Sequence, residues 1–190
     1  RARPRVEAGL RAQRMRAAAR DERLRGWWHM QQVNAERLGM SDHSWVHVRI
    51  VLNIALRLFR LLTRAGLEPA MVTSHGMGRR DAELVIAAGC MFHDTGMSIH
   101  RTDHEQYSLF LAADRLPQLL ESSYDEPELT VVVSEALHAV IGHRRRGEPN
   151  TLTPGRCSRA APGRSRSRLC ARVPHRRVRG TDPPVDVALP

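Results

Sequence analysis

One stretch decides how the chain is interpreted: Asp81-Ala-Glu-Leu-Val-Ile-Ala-Ala-Gly-Cys-Met-Phe-His-Asp-Thr-Gly-Met97. Its apolar pattern predicts a helix over 81–94, capped by Asp81 and ending near Gly96. Adjacent residues of a helix point about 100° apart, so His93 and Asp94 can reach one ion only near a helix end. Imidazole and carboxylate together suit a divalent transition metal. The dipeptide alone leaves a second interpretation open, a helix C-terminal cap beside a solvated acid.

A longer amphipathic segment precedes this stretch. The spacing predicts a helix over 44–65, with Asp42 or Ser44 as its N-cap and Gly66 at its end. Apolar residues recur every three to four positions, and arginines take the other side. The apolar positions, which we expect to face the core, are Ile50, Val51, Ile54, Leu58, Leu61 and Leu62. His47 lies one turn earlier and is therefore expected to point inward.

Helical periodicity predicts four more segments, over 30–39, 102–113, 117–123 and 127–143. Thr102 and Glu105 have the spacing of a capping box, and Pro127 suits the first turn of a helix. A strand over 131–133 is the alternative in the last segment, but the apolar pattern continues to Ile141. The sequence therefore predicts an all-α fold.

Composition limits the class of protein. The chain has 190 residues, 42% of them hydrophobic, which suffices for one domain with a core. Arginine interrupts every apolar stretch, so we expect no membrane span. Three cysteines exclude a disulfide framework and favour a reducing compartment, so we expect a cytoplasmic protein. Only 4% of the residues are aromatic, which disfavours an all-β barrel.

The net charge of +10 is carried by the two ends of the chain. All 30 basic residues are arginine, with nine in 1–26 against three acids and nine in 156–190 against two. We therefore predict a basic N-terminal lead over 1–29 and a helical domain over 30–155. The tail over 156–190 is rich in Arg, Pro and Ser, lacks apolar periodicity, and is expected to be disordered or read out of frame.

The histidines carry the resemblance to a known family. The segment Asp42-His-Ser-Trp-Val-His-Val-Arg-Ile-Val51, with Met91-Phe-His-Asp-Thr-Gly96 further on, resembles the HD-domain metal-dependent phosphohydrolases over about residues 30–155. This resemblance implies an all-α helical bundle of the HD-domain type, with irregular Arg-rich tails. It also implies hydrolysis of a phosphomonoester or phosphodiester, such as a nucleotide, by metal-activated water.

The resemblance also implies a ligand set. His47, His93 and Asp94 match the ligands of a first metal, and His104 and His143 resemble the added histidines of members with two or more metals. The cofactor is expected to be divalent: Mn, Fe, Co, Ni, Zn or Mg. Asp94 is the predicted catalytic proton acceptor. Arg101 and Arg144 are predicted to bind substrate phosphate.

His43 and His138 are not expected to bind the metal themselves. His43 is expected at a helix start, as a cap or beside the ligands. His138 lies about 140° around the helix from His143, so both cannot face one ion unless the helix ends between them. His138 is therefore expected in the core or beside the ligands.

One family ligand has no counterpart. The family carries a last Asp on a helix after the final His, but after residue 143 no Asp occurs here until Asp182. We therefore also consider a catalytically impaired metal-binding or signalling module. A basic nucleic-acid-binding protein is a third, less favoured alternative, since the tails lack aromatic residues for stacking. Uncovered apolar faces would promote a homo-oligomer.

Overall fold

A computed structural model describes residues 18–143 of the chain, and all of its regular elements within that range are helical. The helices are α1 (Glu22–Arg37), α2 (Trp45–Arg64), α3 (Ala70–Thr73), α4 (Arg79–Phe92), α5 (His104–Leu120) and α6 (Glu128–Ile141). A 3₁₀ turn, Thr95–Ser98, joins α4 to α5. The prediction of an all-α fold is confirmed for the described residues. The predicted tail over 156–190 lies outside them.

Helix α4 is the centre of the bundle. Nine of its residues are buried, and it packs against α2 and α6. Gly89 makes the second contact possible, since a Cβ there would lie 2.8 Å from the Cβ of Ala139 on α6. Helix α5 packs on α6, and both α1 and α5 pack on the 3₁₀ turn. The segment that follows His93 and Asp94 is thereby enclosed by packed helices.

The first helix begins at Glu22, so the predicted start near residue 30 is wrong and part of the predicted lead is helical. The Asp21 carboxylate caps α1 by accepting the backbone N–H of Leu24. It also pairs with Arg115 on α5. Burial raises the pKa of Asp21, but the hydrogen bond from Arg115 and the cap outweigh it and lower the pKa overall. Trp28, 3% exposed, then anchors the helix by donating to the Met91 carbonyl.

The other helix bounds follow the predictions more closely. Ser44 is the N-cap of α2, as predicted, and accepts the backbone N–H of Val46. Two predicted segments form the single helix α5, which continues through Pro117. The capping box is wrong: Asp103, in a left-handed conformation with φ 57°, is the N-cap of α5, and Glu105 is buried.

Most of the apolar face predicted on α2 does not face the core of the described residues, although Val51 is half-buried. The buried residues of α2 are Val48 and Leu52 instead. The exposed ones are Val46, Ile50, Ile54, Leu58, Leu61 and Leu62. Ile54 is the most exposed of these, at 62%. Amphipathic spacing identified the helix correctly but did not show which side the rest of the domain covers.

None of the helices within residues 18–143 has the length and apolar composition of a membrane span.

Candidate metal centre

The structure brings all five predicted ligands together around one carboxylate. On one side of Asp94, Oδ2 lies 3.0 Å from Nε2 of His93 and 3.5 Å from Nε2 of His47. On the other side, Oδ1 lies 3.1 Å from Nε2 of His104 and 3.5 Å from Nε2 of His143. The ligand atoms within each set of three lie within 4.8 Å of one another. We call these sets the Oδ2 group and the Oδ1 group.

Each predicted ligand comes from the end of a helix. His47 lies in the first turn of α2, and His93 is the C-cap of α4 with Asp94 directly after it. His104 is the first residue of α5, and His143 follows the end of α6. Helix ends let the backbone turn away after the ligand, so adjacent residues such as His93 and Asp94 can share one centre.

Gly96 and Ser108 lock the turn that carries this pair. The Ser108 hydroxyl, fully buried, accepts the Gly96 N–H and donates to the His93 carbonyl, both at 2.8 Å. A Cβ at Gly96 would lie 2.0 Å from the carbonyl oxygen of His104. The glycine is therefore required by space, because the start of α5 crosses directly over the turn and brings His104 to Asp94.

Backbone carbonyls determine the tautomer of two of the rings. Nδ1 of His93 lies 2.8 Å from the Cys90 carbonyl, and Nδ1 of His143 lies 2.6 Å from that of Val140. A carbonyl oxygen only accepts, so both Nδ1 atoms carry the proton. In the neutral rings, Nε2 then presents a lone pair to Asp94.

The donor set therefore fits a cation. Nε2 of His93 also lies 3.2 Å from Nε2 of His47, so the His93 lone pair, a carboxylate oxygen and a second imidazole nitrogen face one another in the Oδ2 group. Protonating the four rings would relieve this repulsion only by burying several positive charges, which is costly. Imidazole nitrogens and a carboxylate in two sets of three suit divalent transition metals.

The electrostatics of Asp94 agree with this chemistry. Burial raises the pKa of its carboxyl, but the hydrogen bonds that the four histidines donate once Nε2 is protonated, that of His104 largest, hold the pKa well below its usual range. For His143, burial lowers the pKa, yet the hydrogen bonds of the protonated ring to Asp94 and to the Val140 carbonyl, with the negative charges of Asp94 and Glu105, raise it overall. The Asp94 carboxylate is thus ionised, and the negative charge at the centre favours a cation beside it.

Exposure shows where the centre opens. The side chains of His47 and His143 are 28% and 23% exposed, whereas those of His93 and His104 are 11% and 7% exposed. Solvent therefore reaches the centre between His47 and His143, one from each group.

The remaining predicted residues fall in different places. The Arg101 guanidinium lies 2.8 Å from Nδ1 of His104, on the ring edge away from Asp94, and Arg144 lies outside the described residues. The ring of His43 stacks on His47 with centroids 5.1 Å apart, beside the ligands as expected. His138 is exposed on α6, so its expected place in the core or beside the ligands is wrong; the helix ends between it and His143.

Sequence patterns did not place two residues at the centre that the structure places there. Glu105, 4% exposed, lies with Oε2 3.5 Å from Nδ1 of His104. Its position directly after a candidate ligand was the available signal, but the capping-box spacing assigned it elsewhere. The fully buried Ser108 carried no signal, since a lone serine in a helix has no characteristic pattern.

Comparison with known proteins finds an archaeal relative. An uncharacterized protein of Methanocaldococcus jannaschii is 32% identical to the chain over 139 residues, which cover 70% of this chain and 54% of that protein. The chain thus spans about half the length of this relative. No family model matches the chain, and no solved structure matches it.

Proposed function

We propose that the protein is a metal-dependent phosphohydrolase of the HD-domain type, which hydrolyses a phosphomonoester or phosphodiester. The observation that carries the proposal is the position of Asp94, whose two oxygens each face a different pair of histidines. A carboxylate shared in this way suits two divalent ions. Paired ions are suited to phosphoryl chemistry because they can neutralise both the attacking and the leaving oxygen.

The chain's own residues have separable tasks in this proposal. His93 and His104, the more buried rings, hold Asp94 from both sides, while His47 and His143 lie at the opening where a substrate phosphate would enter. Bound divalent ions would supply a water activated for attack and sites for phosphate oxygens. The closely enclosed carboxylate of Asp94 serves as the shared ligand; its role as proton acceptor stays a prediction.

Arg101 retains a place in the proposal, though a changed one. Its guanidinium contacts the outer edge of His104, so reaching a phosphate at the opening would require a different side-chain rotamer. Arg101 is itself exposed, which leaves its side chain room to reorient.

Hydrolysis assays test the proposal. The protein, loaded with Mn²⁺, is assayed with p-nitrophenyl phosphate and with bis(p-nitrophenyl) phosphate, which separates monoesterase from diesterase activity. We expect turnover of at least one substrate and its loss in Asp94→Asn, with His138→Ala as a matched control that retains it. Ion binding without turnover across a wider panel of phosphate esters would favour the impaired metal-binding module instead.

A further inference from the structure

His104 differs from the other ligands in what surrounds its outer nitrogen. Its Nε2 faces Asp94, and its Nδ1 lies 3.0 Å from the Arg101 carbonyl and 2.8 Å from the Arg101 guanidinium. Oε2 of Glu105 lies 3.5 Å from the same nitrogen. For His93 and His143, the partner of Nδ1 seen in the described residues is a single backbone carbonyl.

The two Arg101 groups that contact Nδ1 of His104 require opposite protonation states of that nitrogen. The carbonyl needs a proton there, whereas the guanidinium needs a lone pair. If the guanidinium prevailed in the neutral ring, the proton would move to Nε2 and the lone pair facing Asp94 would disappear. A histidine in that tautomer cannot ligate a metal through Nε2.

Glu105 favours the first of these states, with the proton on Nδ1. Its carboxylate lies 3.5 Å from Nδ1, so its negative charge favours a proton on that nitrogen and offsets the guanidinium charge beside it. The side chain is 5% exposed, so solvent screens this charge little.

We infer that Glu105 is a positioning residue for the Oδ1 group: it keeps the proton of His104 on Nδ1 so that Nε2 can ligate a metal ion. This inference rests on the proposed two-ion centre. Glu105 does not itself ligate the ion. It acts through His104, as carboxylates beside metal-bound imidazoles commonly do.

Isothermal titration calorimetry of the full chain with Mn²⁺ alone tests the inference. We expect the wild type to bind two ions, and Glu105→Gln to weaken one of the two sites by about 10- to 100-fold while the other keeps its affinity. Glu121→Gln, at the other end of α5, is the matched control and should match the wild type. Adding Arg101→Ala to Glu105→Gln should recover most of the lost affinity, because the competing donor is then gone.

The outcomes separate the inference from the proposed function. A wild type that binds no Mn²⁺ overturns the two-ion centre and the inference with it. Two ions bound equally tightly by wild type and Glu105→Gln overturn the inference alone. Equal weakening of both sites, with a lower melting temperature in EDTA, also overturns it, because that pattern indicates a structural role.

A second measurement needs no variant and decides the matter even if Glu105→Gln fails to fold. Nitrogen-15 spectra of histidine-labelled, metal-free wild-type protein distinguish the two tautomers of His104. We expect the Nδ1–H tautomer. The Nε2–H tautomer would overturn the inference.

Discussion

Replacing Gly96 by alanine should disrupt the centre without touching any ligand. A Cβ at this position would lie 2.0 Å from the His104 carbonyl oxygen, 2.4 Å from the Ser108 nitrogen and 2.8 Å from the Tyr107 Cβ. Two of these atoms belong to the backbone of α5 and cannot rotate aside. Ordinary contact begins near 3.4 Å, so the start of α5 must move by about 1.4 Å.

The cost of that movement follows from what it breaks. Overpacking of a buried site costs about 1–3 kcal/mol. The two buried hydrogen bonds of the Ser108 hydroxyl contribute about 1 kcal/mol each. We therefore expect Gly96→Ala to lower the free energy of unfolding by about 3–5 kcal/mol, a large part of the roughly 5–15 kcal/mol typical of a domain. The same movement carries His104 away from Asp94 and should remove the ion of the Oδ1 group.

Gly26→Ala is the matched control. A Cβ at Gly26, inside α1, would meet no atom within 4 Å. Alanine is favoured over glycine in a helix by about 0.5–1 kcal/mol, so this variant should be slightly stabilised. Urea unfolding in EDTA measures both free energies, and Mn²⁺ titration counts the ions. A Gly96→Ala variant as stable as Gly26→Ala, with both ions bound, would refute the reasoning.

Three further predictions concern separate parts of the fold. His143→Ala should reduce bound Mn²⁺ from two ions to one, whereas His138→Ala should leave two; equal metal content would show that His143 is not a ligand. The lowered pKa of Asp21 stabilises the fold above about pH 4, its unfolded value, and this contribution is lost as the pH falls through the lower folded pKa. Wild type should therefore lose more unfolding free energy than Asp21→Asn between pH 5 and pH 3, and parallel curves would contradict this. Ile54→Ser, at an exposed site, should cost under about 0.5 kcal/mol, whereas Leu52→Ala should cost about 2–5 kcal/mol in the same urea assay; similar costs would show that the exposed face is covered.

Local signals predicted the helices well where caps and periodicity agreed. Ser44 marked the start of α2, and the apolar run before His93 marked α4. Both signals depend on neighbours in sequence. The start of α1 was missed, although Asp21 is an ordinary cap, because its arginine partner is distant in sequence and the surrounding residues look like a solvated basic lead.

In the candidate site, too, features with a local sequence signal were predicted, and features that depend on distant residues were not. The His93-Asp94 pair has a local pattern, so sequence and resemblance together reached it. The use of Gly96 for space, rather than only for ending a helix, depends on α5 crossing the turn. Glu105 is buried, and Asp103 rather than Thr102 is the N-cap of α5, a choice between adjacent residues that spacing could not make. These features arise from tertiary contacts, which residue patterns do not encode directly.

The most direct test of the central claim is the number of divalent ions that the protein binds with and without the Asp94 carboxylate. Metal analysis of wild-type protein dialysed against Mn²⁺ should give two ions per chain, and Asp94→Asn should give none, because that carboxylate faces both histidine pairs. A wild type without bound metal, or an Asp94→Asn variant that keeps two ions, would contradict the account.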